Sequence, residues 1–196
     1  GMEQMKSLSR RYNVQVLSVC ADYFMDRPLV RASASEMVER LAILEWLLGR
    51  GHLLGINRMV VPFVDASRID TDTEFDSVCA TLTRILPNAE KNGIEIHLET
   101  SLTPGRFAEL LARLPHPMLK ANYDSGNSSS LGYRPREEFT AYGTRVGSVH
   151  IKDRFLGGST VPLGTGDADF QALAHSLNTI RYAGDFILQV ARGNRQ

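Results

Sequence analysis

The chain has 196 residues, a length that suits one domain with a sizeable core. Its 22 basic and 22 acidic residues cancel, which argues against nucleic acid as the main partner. No apolar run reaches the length of a membrane span, and no signal peptide is visible. Cys20 and Cys79 follow no metal or redox spacing, as is usual in a reducing compartment. We therefore predict a single domain over residues 1–196 of a cytoplasmic protein that binds neither nucleic acid nor membranes.

Apolar runs typical of strands alternate six times with segments of helical periodicity. From the N-terminus, the predicted strands are 14–20, 59–64, 94–99, 118–124, 146–152 and 186–190. Helix signals lie before and between them: a turn near Met5 and Leu8, a capping box at Ser33 and Glu36 with an end near Gly49 and Gly51, a start at Thr73 with an end at Gly93, a start at Pro104, a short helix at 135–142, and a cap at Asp167 or Asp169. This alternation predicts a parallel sheet covered by helices, either an open doubly wound sheet or a (β/α) barrel.

Polar side chains of matching parity end the last four predicted strands. In the third strand the apolar residues share one face, so Glu99 lies on the other. The same alternation aims Asp124, His150 and Gln189 to that side of the next three strands. Each residue alone is more often solvated, satisfied or turn-forming, but four in phase at strand ends favour a site. Two carboxylates, an imidazole and an amide oxygen suit Mn²⁺, Mg²⁺, Co²⁺ or Zn²⁺, so we predict a divalent-metal centre.

Glycine-rich loops follow the strand that ends at His150. Their backbone N–H groups, together with positive charge, are typical of a place for an anion such as phosphate. The glycines are 157, 158, 164 and 166, and the cations are Lys152, Arg154 and Arg192. Open amides on these glycines could hold an anion, although Gly-rich loops are mostly just turns.

Four strings of this sequence resemble the xylose isomerase-like TIM-barrel superfamily, which includes sugar-phosphate isomerases and epimerases and abasic-site endonucleases. The resemblance runs from about residue 14 to residue 192. It is carried by residues 96–99 (IHLE), 123–127 (YDSGN), 149–153 (VHIKD) and 161–170 (VPLGTGDADF). It implies an α/β fold, a TIM-barrel-like but incomplete (β/α) domain of about six parallel strands with surrounding helices. The six strands match the third to the eighth of the family, so the first two strands are missing.

The resemblance also implies roles for the residues at the strand ends. In that family Glu, Asp, His and Glu from the last four strands hold a divalent metal, which implies Glu99, Asp124 and His150 as ligands. Gln189 takes the fourth place and departs from the pattern. Glu99 is then the base that moves a proton through an enediolate. Because an amide carries no proton, Gln189 favours one-base isomerisation over two-base epimerisation.

Substrate contacts are implied in the same way. Arg154 resembles an arginine that contacts sugar hydroxyls, whereas Asn127 stands where several ketose epimerases have histidine. Lys152 and Asn122 complete the candidate substrate-binding residues. The implied partner is a small sugar or sugar phosphate. Strand edges left open by the missing strands also predict a homo-oligomer in which a second chain covers them.

Two other functions remain open beside a metal-dependent sugar isomerase or epimerase. Gln189 and the missing strands favour a catalytically reduced relative that binds a sugar or a partner without turnover. An abasic-site endonuclease is the least favoured, because it needs several histidines at its metals. Three of the five histidines here, His52, His116 and His175, fall on predicted helices or loops.

Overall fold

The structure, a computed structural model, describes residues 1–191. Arg192, one of the cations predicted to attract an anion, lies outside the described residues. The chain divides into two compact units. Unit 1 is Gly1–Leu98 with Leu114–Leu119, and unit 2 is Glu99–Arg113 with the described residues from Lys120 onward. Each unit is considered by itself, and the single domain over residues 1–196 stays a prediction.

Strands and helices alternate through both units. Unit 1 contains α1 (Met2–Tyr12), β1 (Ser18–Cys20), α2 (Tyr23–Asp26), α3 (Ala34–Leu54), β2 (Arg58–Phe63), α4 (Asp72–Asn92) and most of β3 (Glu95–Thr100). Unit 2 contains α5 (Pro104–Arg113), nearly all of β4 (Leu119–Asp124), α6 (Ser125–Leu131), α7 (Pro135–Tyr142), β5 (Val146–Ile151), β6 (Asp153–Arg154), β7 (Thr160–Val161), α8 (Phe170–Thr179) and β8 (Phe186–Leu188). The strand order is β1-β2-β3 in unit 1 and β4-β5-β8 in unit 2, while β6 and β7 form a separate antiparallel pair. The prediction of an α/β fold with six parallel strands is confirmed.

Helix ends in unit 1 differ from the prediction where glycine was taken as a stop. Helix α3 continues through Gly49 and Gly51 and ends at Gly55, whose φ of 77° is left-handed. Gly51 is retained inside the helix because a Cβ there would lie 2.8 Å from Ile94 Cδ1, so the glycine permits close packing of α3. The polar N-terminal segment is a complete helix, α1, rather than one turn, and β1 begins only at Ser18.

The caps of α3 and α4 follow the sequence closely. Ser33 caps α3 with Glu36 in a capping box, as predicted. A second box caps α4, but its cap is Thr71 with Glu74, two residues before the predicted start. Gly93, with a φ of 65°, ends α4 as predicted.

The core of unit 2 fixes which side chains of β4 and β5 are turned away from the helices. Tyr123 of β4 and Val149 of β5 pack with Phe139 of α7 and with Leu173 and Leu177 of α8. Burying each such side chain contributes about 1.5–3 kcal/mol. Because side chains alternate along a strand, the neighbours of Tyr123 and Val149 face the opposite side.

A bulge sets the register between β4 and β5. The ladder shifts between Ala121 and Asn122, which leaves Gly147 as an extra residue on β5. Beyond the shift, Asp124 lies directly opposite His150. Without the extra residue the polar faces of the two strands would be out of phase.

Two elements of unit 2 were missed in the sequence. No helix was predicted over Ser125–Leu131, but these residues form the helix α6. The Gly-rich segment contains the short ribbon of β6 and β7. Asp169, one of the two predicted caps, accepts a hydrogen bond from the backbone N–H of Ala172 and caps α8.

Candidate metal centre

Glu99, Asp124 and His150 converge at the C-terminal ends of β3, β4 and β5. One ligand atom from each lies within 4.8 Å of the others. His150 Nδ1 is 3.4 Å from Glu99 Oε2 and 3.7 Å from Asp124 Oδ2. All three residues are buried. The sequence prediction that these three side chains share one place is therefore met by the geometry.

The two oxygens of Asp124 have different surroundings. Oδ1 accepts a hydrogen bond of 2.8 Å from the backbone N–H of Asn127 and so caps α6. Oδ2 is buried and accepts no hydrogen bond within the described residues. Its nearest cations, Lys152 Nζ at 3.6 Å and His150 Nδ1 at 3.7 Å, lie beyond hydrogen-bonding distance. A buried carboxylate oxygen in this state is suited to a cation.

Electrostatics hold a positive charge at this centre. Burial alone lowers the pKa of His150, but attraction to the nearby carboxylates of Asp124 and Glu99 outweighs it and raises that pKa to about 9. The His150 proton thus balances one of the two buried carboxylates. The centre favours a cation between its acidic groups, which a metal ion also satisfies.

Asn122 orients Glu99 from the neighbouring strand. Its Nδ2 donates to Glu99 Oε2 at 3.0 Å and lies 3.2 Å from His150 Nδ1. Ser148 Oγ donates to Asn122 Oδ1 at 2.6 Å and fixes the amide. The role of Ser148 was not predicted, although its parity with His150 is readable in the sequence. Asn122, predicted to bind substrate, therefore also orients Glu99.

Gln189 reaches the centre from just beyond β8. Its backbone N–H donates to Ile151 O at 3.0 Å, and its side-chain Nε2 lies 3.1 Å from His150 Nδ1. Its position agrees with the prediction, but the atom that faces the centre is nitrogen and not the expected oxygen. A half-turn of the amide exchanges the two atoms.

Asn127 connects Glu99 to the predicted substrate-binding cations. Its Nδ2 donates a short hydrogen bond to Glu99 Oε1. Its Oδ1 accepts from Arg154 Nη1 at 2.9 Å and from Lys152 Nζ at 3.4 Å. The stem of Lys152 packs on Gly126, where a Cβ would lie 2.7 Å from Lys152 Cγ. Of the four predicted substrate-binding residues, Asn122, Asn127 and Lys152 lie beside Glu99 or Asp124. Arg154 is linked to them through Asn127.

The glycine amides of the loops after β5 are not open to an anion. Asp153 is fully buried, and its Oδ2 accepts hydrogen bonds from Gly164 and Gly166 N–H at 2.8 and 2.9 Å. Its Oδ1 accepts from Ala168 N–H at 3.1 Å. The remaining two amides also have acceptors: Gly157 N–H donates to Ser130 O and Gly158 N–H to Phe155 O. The signal was present in the Asp of the VHIKD string, which supplies the acceptor that the loop folds around.

The other four histidines do not join the centre. His97 lies against Glu95 at 2.9 Å, His52 against Asn92 O at 2.9 Å, and His116 lies 3.8 Å from Glu90. His175 is on α8. His150 is accordingly the one histidine in the cluster of metal-binding groups found in residues 1–191.

The donor set fits a divalent ion. Glu99, Asp124 and His150 offer carboxylate and imidazole ligands, which suit Mn²⁺, Co²⁺ and Zn²⁺. The buried Oδ2 of Asp124, which accepts no hydrogen bond within the described residues, is the atom that fits a metal best. Asn122 behind Glu99 supplies the kind of orienting hydrogen bond that metal ligands usually have.

A family model described as "Xylose isomerase-like TIM barrel" matches residues 1–195 of the chain. No curated protein matches it. Among solved structures, the chain is similar to a xylose isomerase domain protein from Planctomyces limnophilus, with 18% identity and a TM-score of 0.81 over 97% of this chain and 74% of that one.

Two further solved structures are similar to the chain. A D-allulose 3-epimerase from Methylomonas sp., in complex with D-allulose, has 18% identity and a TM-score of 0.79 over 96% of this chain and 68% of that one. The IolI protein with a bound zinc atom has 17% identity and a TM-score of 0.78 over 95% of this chain and 72% of that one. At these identities the likeness establishes the fold, and the predicted incomplete TIM-barrel-like architecture is confirmed.

Within residues 1–191, no helix is both long and apolar enough to cross a membrane.

Proposed function

Because the chain belongs to the xylose isomerase-like TIM-barrel family, we propose that it is a divalent-metal-dependent isomerase or epimerase of a small sugar. The observation that carries the proposal is the buried cluster of Glu99, Asp124 and His150 at three adjacent strand ends. A sugar epimerase and a zinc-binding protein share this fold. The sugar bound by the first protein and the zinc bound by the second support the proposal independently of the cluster.

Glu99, Asp124 and His150 would hold the ion, with the Gln189 amide as a fourth group. Mn²⁺, Mg²⁺, Co²⁺ and Zn²⁺ are the candidates. When bound, the ion supplies Lewis-acid stabilisation to the oxygens of the sugar. Asp124 keeps Oδ1 on the α6 cap and has Oδ2 available for the ion.

Glu99 is the base in this proposal. It removes the proton from the hydroxyl-bearing carbon next to the sugar carbonyl and returns it, on the same face, to the former carbonyl carbon. The proton of that hydroxyl passes to the former carbonyl oxygen, so the first carbon becomes the new carbonyl. Asn122 and Asn127 each donate to a different oxygen of the carboxylate and fix its plane. Each oxygen keeps a second lone-pair site for the proton or the ion. Arg154 and Lys152, next to Asn127, would bind the sugar hydroxyls.

Gln189 decides between isomerisation and epimerisation. Two-base epimerisation needs a second proton carrier across the substrate, and an amide is not one. We therefore favour aldose–ketose isomerisation with Glu99 as the single base. The same residue supports the second candidate, a relative that binds a sugar or a protein partner without turnover.

The unphosphorylated sugar is the better candidate substrate. All four glycine amides in the loops after β5 already have intramolecular acceptors, three of them on Asp153 or on the loop itself. A phosphate would have to rely on Lys152 and Arg154, which already bond to Asn127. Neutral hydroxyls need fewer donors than a dianion does.

A homo-oligomer is part of the same proposal. Phe186 and Leu188 of β8 are 54% and 67% exposed, although they are large and apolar. Burying them against a second copy of the chain would remove that surface from water. Localisation in the cytoplasm is proposed because Cys20 and Cys79 are not joined in a disulfide.

The test combines metal binding with solvent exchange. The chelator-treated protein is titrated with Mn²⁺, Mg²⁺, Co²⁺ and Zn²⁺ in turn, and the Mn²⁺-loaded protein is then incubated in D₂O with allulose, tagatose, ribulose and one ketose phosphate. We expect Mn²⁺ binding, deuterium next to the carbonyl of one free ketose, and its aldose as product. Binding of a ketose with no deuterium uptake would favour the relative without turnover. Failure to bind any of the four metals would refute the metal centre.

The Gln189→Glu variant separates the two reactions. It restores a second proton carrier opposite Glu99, so we expect epimer to appear beside aldose with the same ketose. Epimer formed by the unchanged chain at a rate equal to that of the variant would overturn the one-base mechanism.

A further inference from the structure

Two buried polar atoms behind the metal centre line the same small cavity. Thr100 Oγ1 and Glu138 Oε2 have no hydrogen-bond partner in the described part of the chain. Both residues line a cavity of about 10 Å³, measured for the centre of a water molecule. That volume holds about one water, and a threonine hydroxyl and a carboxyl oxygen are each able to hydrogen-bond to water. Glu99 and Asn127 also line this cavity.

Glu138 is anchored on its other side. It is 3% exposed, and its Oε1 accepts hydrogen bonds from Ser128 Oγ at 2.7 Å and from Tyr142 Oη at 2.9 Å. The other groups that face Glu138 are Tyr123 of β4, Tyr133 in the loop before α7, and Glu137 of α7 itself. None of these is a cation, so no ion pair offsets the burial of Glu138. Its free oxygen therefore needs a polar neighbour, which the cavity can supply as water.

Helix α6 depends on contacts of this kind. Its seven residues, SGNSSSL, are mostly poor helix formers. Side-chain bonds to the rest of unit 2 hold it: Ser125 with Lys152, Ser129 with Arg154 O, and Ser128 with Glu138. Ser128 directly follows Asn127, whose side chain bonds Glu99 and whose N–H bonds Asp124. A shift of Ser128 would thus move two groups of the centre.

We propose that the cavity is a solvent site in which one water bridges Thr100 and Glu138, and that Glu138 is a positioning residue of the metal centre. Through Ser128 and the water, Glu138 holds α6 in place and keeps Asn127 on Glu99. The inference rests on the proposed function only where metal binding is the readout. The hydration of the cavity and the order of α6 can be tested without it.

The experiment compares four variants of the full chain. Glu138→Met removes both acceptor oxygens at similar length, whereas Glu138→Gln keeps one acceptor for Ser128 and Tyr142. Glu137→Met, at the exposed neighbouring position, is the matched control. Thr100→Val removes one partner of the water without a change of shape. The readouts are the affinity for Mn²⁺ alone, hydrogen exchange of the α6 amides, and electron density at high resolution.

We expect Glu138→Met to weaken Mn²⁺ binding about tenfold and to speed α6 exchange to a similar extent, as for residues that orient metal ligands. Glu138→Gln should restore both to within about twofold of the unchanged chain, and Glu137→Met should alter neither. The unchanged chain should show one water between Thr100 and Glu138, and Thr100→Val should lose it.

Three results would overturn the proposal. The first is a dry cavity in the unchanged chain, and the second is a Glu138→Met variant that equals it in both Mn²⁺ affinity and α6 exchange. The third is a Glu138→Gln variant as impaired as a folded Glu138→Met. If Glu138→Met does not fold, Glu138→Gln and Thr100→Val decide by density and exchange. An unchanged chain that binds no Mn²⁺ refutes the proposed function, while density and exchange still decide this inference.

Discussion

Two buried aspartates of unit 2, Asp124 at the end of β4 and Asp153 at the start of β6, have opposite surroundings. Both oxygens of Asp153 are used, by the N–H groups of Gly164, Gly166 and Ala168. Asp124 uses one oxygen to cap α6 and leaves the other without a hydrogen bond.

The contrast separates a structural carboxylate from a binding one. Buried charge is costly, and several N–H donors around Asp153 offset that cost within the fold itself. Around Asp124 the fold supplies too few donors, so the remaining attraction is available for a cation. The predictions below test whether this difference in hydrogen bonding corresponds to a difference in role.

Glu99→Gln should have the largest effect on turnover. Glutamine keeps the size of the side chain but cannot accept the substrate proton, so we expect a loss of at least about 10³-fold in kcat. The variant should still fold but with a lower melting temperature, because its new NH₂ group cannot accept and one of the two bonds from Asn122 and Asn127 is lost. Full activity of this variant on the true substrate would show that Glu99 is not the base.

Asp153→Asn should have the largest effect on stability. One oxygen becomes an NH₂ group that faces a backbone N–H, so we expect a loss of about 3 kcal/mol and a lower melting temperature by roughly 6–12 °C. Mn²⁺ affinity, measured well below that temperature, should remain within a few fold of the unchanged chain.

Asp124→Asn is the matched counterpart. Asparagine caps helices as well as aspartate does, so the melting temperature should change by no more than about 2 °C. Loss of the carboxylate should weaken Mn²⁺ binding by at least about 100-fold, more than is typical of residues behind metal ligands. If Asp124→Asn destabilises the chain as much as Asp153→Asn, the distinction between the two aspartates is wrong.

Glu138 is another buried carboxyl group of unit 2, and it extends the comparison to the dependence of stability on pH. Burial raises its pKa from 4.5 to about 7, and hydrogen bonds from Ser128 and Tyr142 only partly oppose this. Between these pH values the folded chain retains a proton that the unfolded chain has lost. The free energy of unfolding should therefore fall as the pH rises from about 4.5 to 7, by at most about 3 kcal/mol.

Urea denaturation of metal-free protein at several pH values measures this slope. His150 also loses its proton with rising pH, but at about 9, so the difference between the unchanged chain and Glu138→Gln isolates Glu138. We expect the variant to lack the fall between pH 4.5 and 7. Parallel curves for the two proteins would show that Glu138 does not titrate in this range.

The centre could be predicted from sequence because strand alternation is a local property. Glu99, Asp124 and His150 each end an apolar run, and parity alone directs them to one side. Even so, the phase of β4 and β5 depends on the bulge at Gly147, which no local pattern indicated. Because the extra residue lies before the strand ends, counting parity back from Asp124 and His150 keeps the two strands in phase. Counting forward from the first residues of the strands would put them out of phase.

The features that were missed depend on partners distant in sequence. The string Asp-Ser-Gly-Asn favours a turn by itself, and it forms α6 because Glu138 and Lys152 bond its serines. The loop glycines looked open because their acceptor, Asp153, lies 11 residues before Gly164 and 13 before Gly166. Hydrogen-bond satisfaction is a property of the folded chain, and spacing alone does not reveal it.

Gly126→Ala should have the smallest effect and probes the substrate side of Asp124. An added Cβ would lie 2.7 Å from Lys152 Cγ, so the lysine must move from its place beside Asp124 and Asn127. Gly105→Ala in α5 is the control, because nothing lies within 4 Å of its Cβ. Both changes improve helix propensity by roughly 0.5–1 kcal/mol, but only Gly126→Ala displaces a side chain of the site.

We expect Gly126→Ala to raise KM about threefold, a cost of about 0.6 kcal/mol, and to leave the Mn²⁺ affinity unchanged. The kinetics of Gly105→Ala should be unchanged. A KM that is the same in both variants would mean that Lys152 does not contact the sugar, and the cation beside Asp124 would then belong, like the donors around Asp153, to the fold.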